Sequence, residues 1–103
     1  MKNSIFLEIL RKINSNPKHT QRTLSKELGY SLGKINYCLS ALKDKGLIKV
    51  KNFQKNKAKL NYFYLLTPKG VKEKTSLTIS FMKRKMAEYD ELKKELENKR
   101  YWF

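Results

Sequence analysis

The 103-residue chain contains one cysteine, one histidine, one tryptophan, two prolines and four glycines. A lone cysteine cannot close an internal disulfide, which agrees with a reducing compartment, and the chain is expected in the cytoplasm. The single histidine, His19, offers no partner for a metal site or a proton relay and is expected at the surface. The four glycines fall at turn, helix-end or helix-start positions, so no phosphate-cradling loop is present, and neither is a nucleophile elbow. Enzymatic chemistry, a bound metal and a cofactor are therefore not expected. No run of about 18 apolar residues could span a bilayer, and MKNSIFLEIL lacks the apolar segment and cleavage site of a signal peptide. A membrane partner is not expected either.

Negative charge is also scarce. Against 9 Asp and Glu stand 24 Lys and Arg, a formal net charge of +15. The excess is uneven: residues 1–67 carry 14 basic and 3 acidic side chains, residues 68–103 carry 10 and 6. A polyanion is the natural partner for the first segment, because each Lys or Arg near a phosphate releases counterions. One compact core is possible at this length but modest, so self-association would add useful burial.

The segment from Thr20 to Gly46, TQRTLSKELGYSLGKINYCLSALKDKG, spells two short helices joined by a tight turn. Thr20 is placed to cap the first, whose inward residues are Leu24 and Leu28. Gly29 supplies a left-handed residue to end it, and Ser31 is placed to cap the next. In the second helix Leu32, Ile35, Leu39 and Leu42 form the apolar stripe, leaving Gly33, Lys34, Asn36, Tyr37 and Ser40 outward. A short, polar, basic face of this kind suits the major groove of DNA.

Upstream, Ile5, Phe6, Ile9, Leu10 and Ile13 predict an amphipathic helix broken between Asn14 and Pro17. Downstream, LIKVKNF (47–53) and LNYFYLL (60–66) predict an antiparallel hairpin with a basic tip carrying Lys55, Asn56, Lys57 and Lys59. Three helices followed by a hairpin make a mainly α winged helix-turn-helix with a small β-hairpin. Thr67 and Pro68 then open a long helix reaching about Arg100. Met82, Tyr89 and Leu96 recur every seven residues and Leu92 follows Tyr89 by three, which suggests a short coiled-coil seam; Leu77, Phe81 and Met86 widen the stripe. A helix packed partly on its own domain and partly on a second subunit reconciles the two features. The expected division is a DNA-binding domain at 1–67 and a dimerisation helix at 68–103.

The run SLGKINYCLSALKDKGLIKVKNF, with YFYLLTPKG and FMKRKMAEYDEL after it, resembles the small MarR-type regulators described as EPS-associated, winged-helix proteins found with bacterial exopolysaccharide genes. The resemblance extends over nearly the whole chain, through the wing and the last helix. It implies a bacterial transcriptional regulator that binds double-stranded DNA as a homodimer. It does not imply a known operator or inducer, and leaves open whether a small molecule acts on the protein.

Within that reading Asn36 is the best base reader, since its amide can both donate to and accept from an adenine edge. Lys34 suits guanine or a phosphate. Ser31 caps the helix and is close enough to meet a phosphate, Ser40 extends the polar face, and Arg22 in the first turn of helix two suits a backbone clamp. Tyr37 has two readings, contact with DNA or packing at the core margin. Tyr62, Phe63 and Tyr64 read as core rather than as a stacking platform, and Cys38 as a packed thiol rather than a redox switch. Two functions of other classes fit the charge or the fold: an RNA-binding or ribosome-associated protein, and a winged-helix interaction adaptor.

Overall fold

The computed structural model describes residues 2–51 and 62–98. The elements run α1 (Lys2–Ser15), α2 (Gln21–Leu28), α3 (Leu32–Asp44), β1 (Ile48–Lys51), β2 (Phe63–Leu66) and α4 (Pro68–Asn98). The expected hairpin tip, with Lys55, Asn56, Lys57 and Lys59, lies outside the described residues, as does Tyr101-Trp102-Phe103.

Helix α1 buries Phe6, Leu7, Ile9, Leu10 and Ile13, the face that its apolar periodicity dictates. It ends in a turn in which the Asn16 side chain accepts from the Lys18 N–H at 3.0 Å. His19, expected at the surface, is instead buried. Its Nδ1 lies 3.0 Å from Thr23 Oγ1. That hydroxyl also accepts from the Thr20 N–H and lies 3.1 Å from the Thr20 carbonyl. The Thr20 and Thr23 side chains bond reciprocally to each other's backbone N–H, forming the box that starts α2. Glu27, one helical turn beyond Thr23, pairs with Lys12 of α1 at 3.0 Å. The Lys12 hydrogen bond and the nearby His19 hold the Glu27 carboxyl below its usual range.

Gly29 has φ of 80° and ends α2. Ser25 Oγ donates to the Tyr30 carbonyl, and the buried Gln21 side chain donates from Nε2 to the Leu32 carbonyl at 3.3 Å. The turn is thereby tied to α2 at both ends. Ser31 then accepts from the Lys34 N–H at 3.1 Å and starts α3. The buried stripe of α3 is Ile35, Cys38, Leu39 and Leu42. Leu32, expected inward, is exposed, and Cys38 takes the fourth place. At 100° per residue Leu32 lies about 70° from the centre of that stripe.

The strands are shorter than expected within the described residues and pair antiparallel, with Ile48 opposite Leu66 and Val50 opposite Tyr64. Ile48 and Tyr64 are buried beneath the helices, while Tyr62 and Phe63 are half-buried. Burial raises the Tyr64 hydroxyl above its usual range, with Tyr62 adding to the effect.

Helix α4 begins against the corner between α3 and β1. Three successive carbonyls there are taken up by residues at its start. Lys69 Nζ donates to Lys45 O at 3.0 Å, Thr67 Oγ1 to Gly46 O at 2.6 Å, and the Thr67 N–H to Leu47 O at 3.0 Å. Thr67 Oγ1 also accepts from the Gly70 N–H at 3.0 Å, capping the helix. Gly70 is buried, and a Cβ there would lie 1.9 Å from Leu47 O. Only glycine permits this approach.

The Gly70→Ala substitution should destabilise the fold by roughly 1–3 kcal/mol or more, because the blocking atom belongs to the backbone. At Gly33, on α3, an added Cβ would meet nothing closer than Ser31 Oγ at 4.0 Å. Gly33→Ala should be neutral or stabilising by up to about 1 kcal/mol. Urea unfolding of the two variants checks the opposite signs; equal losses would contradict the packing described at Gly70.

Candidate nucleic-acid interface

The exposed side of α3 is set by what the other side must bury. With Ile35, Cys38, Leu39 and Leu42 turned inward, Gly33, Tyr37 and Ser40 are exposed and Asn36 is half-buried. Tyr37 is 57% exposed, so the helix does not depend on it for core packing. Asn36 and Ser40 line a shallow cleft of about 70 Å³ between α3 and the hairpin, together with Lys43, Val50, Tyr62 and Tyr64. Lys43 was not singled out from the sequence. It lies three residues after Ser40 and seven after Asn36, so helical spacing alone puts it on their face.

Lys34 and Tyr37 belong to a different edge of α3. They line a larger crevice of about 710 Å³ with Ile5, Phe6, Tyr30, the buried Cys38 and Arg84 of α4. The Lys34 ammonium lies 5.8 Å from the centre of the Tyr30 ring. Tyr30 is held protonated above its usual range by loss of water and by the neighbouring Glu8 carboxylate, to which its hydroxyl donates at 3.5 Å. The expected DNA-contacting residues of α3 are thus divided. Asn36 and Ser40 stand beside the hairpin, Ser31 caps the first turn, and Lys34 and Tyr37 border the crevice. Arg22 is exposed in the first turn of α2.

On α4, Leu77 is half-buried and packs against the core of its own domain, and Phe81 is half-buried with Arg84 and Lys85 within 6 Å of its ring. Met82, Met86, Tyr89, Leu92 and Leu96 are all more than half exposed. Among the described residues no cluster of His, Cys, Asp or Glu could hold a metal ion, and no helix is long and apolar enough to cross a membrane.

Residues 3–49 match the family of winged helix-turn-helix DNA-binding domains. The fold is a winged helix-turn-helix. Solved structures with the same arrangement include Staphylococcus aureus MarR in complex with salicylate and kanamycin, with 26% identity and a TM-score of 0.70 over 84% of this chain and 56% of that one. The chain therefore spans little more than half the length of that protein. The PcaV transcriptional regulator of Streptomyces coelicolor is 16% identical, with a TM-score of 0.69 over 97% of this chain and 80% of that one. Lactococcus lactis ZitR is 20% identical, with a TM-score of 0.65 over 89% and 67%. At their levels of identity PcaV and ZitR show likeness of fold alone. No curated protein matches the chain.

The winged helix buries Cys38 to 3% exposure on the inner side of α3. A thiol reagent should therefore react with the folded chain at least about tenfold more slowly than with the chain in urea, since modification must await local opening. Equal rates would place Cys38 at the surface and revive its reading as a redox switch.

Proposed function

We propose that the chain is a bacterial transcriptional regulator that binds duplex DNA sequence-specifically, with residues 1–67 on the DNA and residues 68–103 joining two copies. The observation that carries this is the outer side of α3, where half-buried Asn36 and exposed Ser40 and Lys43 line a cleft beside the hairpin. It belongs to a segment with 14 basic and 3 acidic side chains. The family match over residues 3–49 and the likeness to S. aureus MarR support the same reading. The sequence resemblance extends it to control of exopolysaccharide genes.

In this account Asn36 reads a base edge, while Arg22, Ser31, Lys34 and Lys43 hold the phosphate backbone. Lys55, Asn56, Lys57 and Lys59 extend the backbone or minor-groove contact from the hairpin tip. Competition between duplex DNA and RNA at moderate salt separates this function from its alternatives. Preference for structured or single-stranded RNA would favour the RNA-binding protein, and negligible affinity for either would favour the adaptor.

Neutralising about 5 to 8 phosphates should give a log–log dependence of affinity on salt several units below zero. Asn36→Ala should cost about 1–3 kcal/mol on the selected operator and little on scrambled duplex, whereas Arg22→Ala should weaken both and reduce the salt slope by about one unit. Titration of both variants at two salt concentrations checks this. Equal losses on both sequences for Asn36→Ala would mean that this residue does not read bases.

The crevice favours control by a small aromatic anion. Phe6, Tyr30 and Tyr37 offer ring faces and edges, and Lys34 and Arg84 offer cations, on elements that include both α3 and α4. Salicylate, present in the S. aureus MarR structure, has this chemistry. Salicylate should weaken operator binding by the chain at millimolar concentration, and Arg84→Ala should abolish that effect while leaving binding without salicylate intact. An unchanged response in Arg84→Ala would remove the crevice from the account.

A further inference from the structure

We propose that α4 pairs with α4 of a second copy in antiparallel orientation, with the two-fold axis crossing near Met86. The proposal rests on the dimer reading above and adds the direction of the pair. The face to be covered runs through Ile79, Met82, Met86, Tyr89 and Leu92, which are 49% to 64% exposed. These five side chains lie within an arc of about 140° on the helix, at 100° per residue. Leu77 and Phe81 lie on the flank that turns back towards the chain's own domain. An exposed apolar stripe of this length on a charged helix is the mark of an interaction surface.

Charge sets the direction. Residues 68–85 of α4 carry six basic and one acidic side chain, and residues 86–98 carry five acidic and two basic. The helix is therefore strongly polar from end to end, and its basic half is the half attached to the basic winged domain. A parallel pair would set basic half against basic half and acidic against acidic. It would also crowd two domains that each carry an excess of 11 positive charges. An antiparallel pair reverses each of these terms. Lys74 then faces the region of Glu97 on the other copy, and Lys83 the region of Glu88 and Asp90. The parallel pair would gain a Glu88–Lys93 contact across the seam, but an exposed pair of this kind contributes little against the repulsion of like-charged halves.

The consequence for DNA follows from the corner at Gly70. Because α3 ends where α4 begins, the recognition helices travel with the first turns of the α4 pair. Gly70 is 16 residues from Met86, so an antiparallel pair separates the two corners by about 48 Å along its axis. A parallel pair would hold them side by side.

The test uses the unaltered chain. Equal amounts of ¹⁴N- and ¹⁵N-labelled protein are exchanged to equilibrium, sedimented, and treated with a zero-length carbodiimide that joins lysine to carboxylate. On one helix Lys74 and Glu97 are 23 residues, or about 35 Å, apart. Mixed-isotope peptides joining Lys72 or Lys74 to Glu95 or Glu97 can therefore form only in an antiparallel pair, and they are the expected product. Mixed-isotope links confined to the same level, such as Glu88 with Lys93, in a chain that sediments as a dimer would establish the parallel pair and overturn the proposal. A dimer with no mixed-isotope link within α4 would overturn it while leaving the dimer reading in place. Sedimentation as a monomer at roughly 50 μM would overturn both.

Discussion

The contact between Gly70 and the Leu47 carbonyl joins the parts of the molecule that have to act together. Helix α3 ends at Asp44 with Lys45 as its cap, β1 starts at Ile48, and α4 starts at Pro68, all at one corner. The last carbonyls of α3 are taken by the turn that follows it, Ala41 by the Lys45 N–H, Lys43 by the Gly46 N–H and Leu42 by the Leu47 N–H. Thr67 and Lys69 then bond to the carbonyls of that turn, those of Lys45, Gly46 and Leu47. The lysine at the end of α3 also places a cation where the helix dipole is negative. No side chain at position 70 could coexist with this packing, so the orientation of α3 relative to α4 is set by backbone contact rather than by a linker. In the proposed function an event on α4, whether pairing with another copy or filling of the crevice beside Arg84, would act on the junction that carries α3.

Charge works against the compact state as much as for binding. A net charge of +15 on 103 residues repels itself in the free chain. The described ion pairs offset only part of this, and the pair of Glu27 with Lys12 is exposed. Polyanion binding relieves the repulsion of the first 67 residues. Antiparallel pairing relieves that of α4, because the acidic end of one helix then lies beside the basic half of the other. Both assemblies in the proposed function thus draw on the uneven distribution of charge along the chain.

Much of the winged helix could be read from local chemistry. Thr20, Gly29 and Ser31 cap α2 and α3 as their residue types and spacing demand, and Thr67 with Pro68 starts α4. The errors came where tertiary geometry decides. Leu32 looks apolar and periodic, but at the first turn of α3 it points away from the core, and Cys38 fills the stripe. His19 is buried because Thr23, one turn into α2, gives its ring a partner, a contact that single-residue counting overlooks. The constraint on Gly70 is invisible locally, because its neighbour Leu47 is 23 positions away in the chain. Lys43 shares a face with Asn36 and Ser40 by spacing alone and was readable. The division of Lys34 from Asn36 was readable too, since residues two apart lie about 160° apart around a helix; only the placing of Arg84 beside Lys34 depends on α4.

Selection of bound sequences from a random duplex library tests the central claim most directly, because it requires the chain both to prefer duplex DNA and to read it. The account predicts enrichment of an inverted repeat, with half-sites one helical turn of about 10 base pairs or a multiple of that apart, and loss of defined bases within each half-site when Asn36 is replaced by Ala. Recovery of an unenriched library at salt concentrations where the chain still binds would contradict it, leaving a basic protein that holds nucleic acid without reading it.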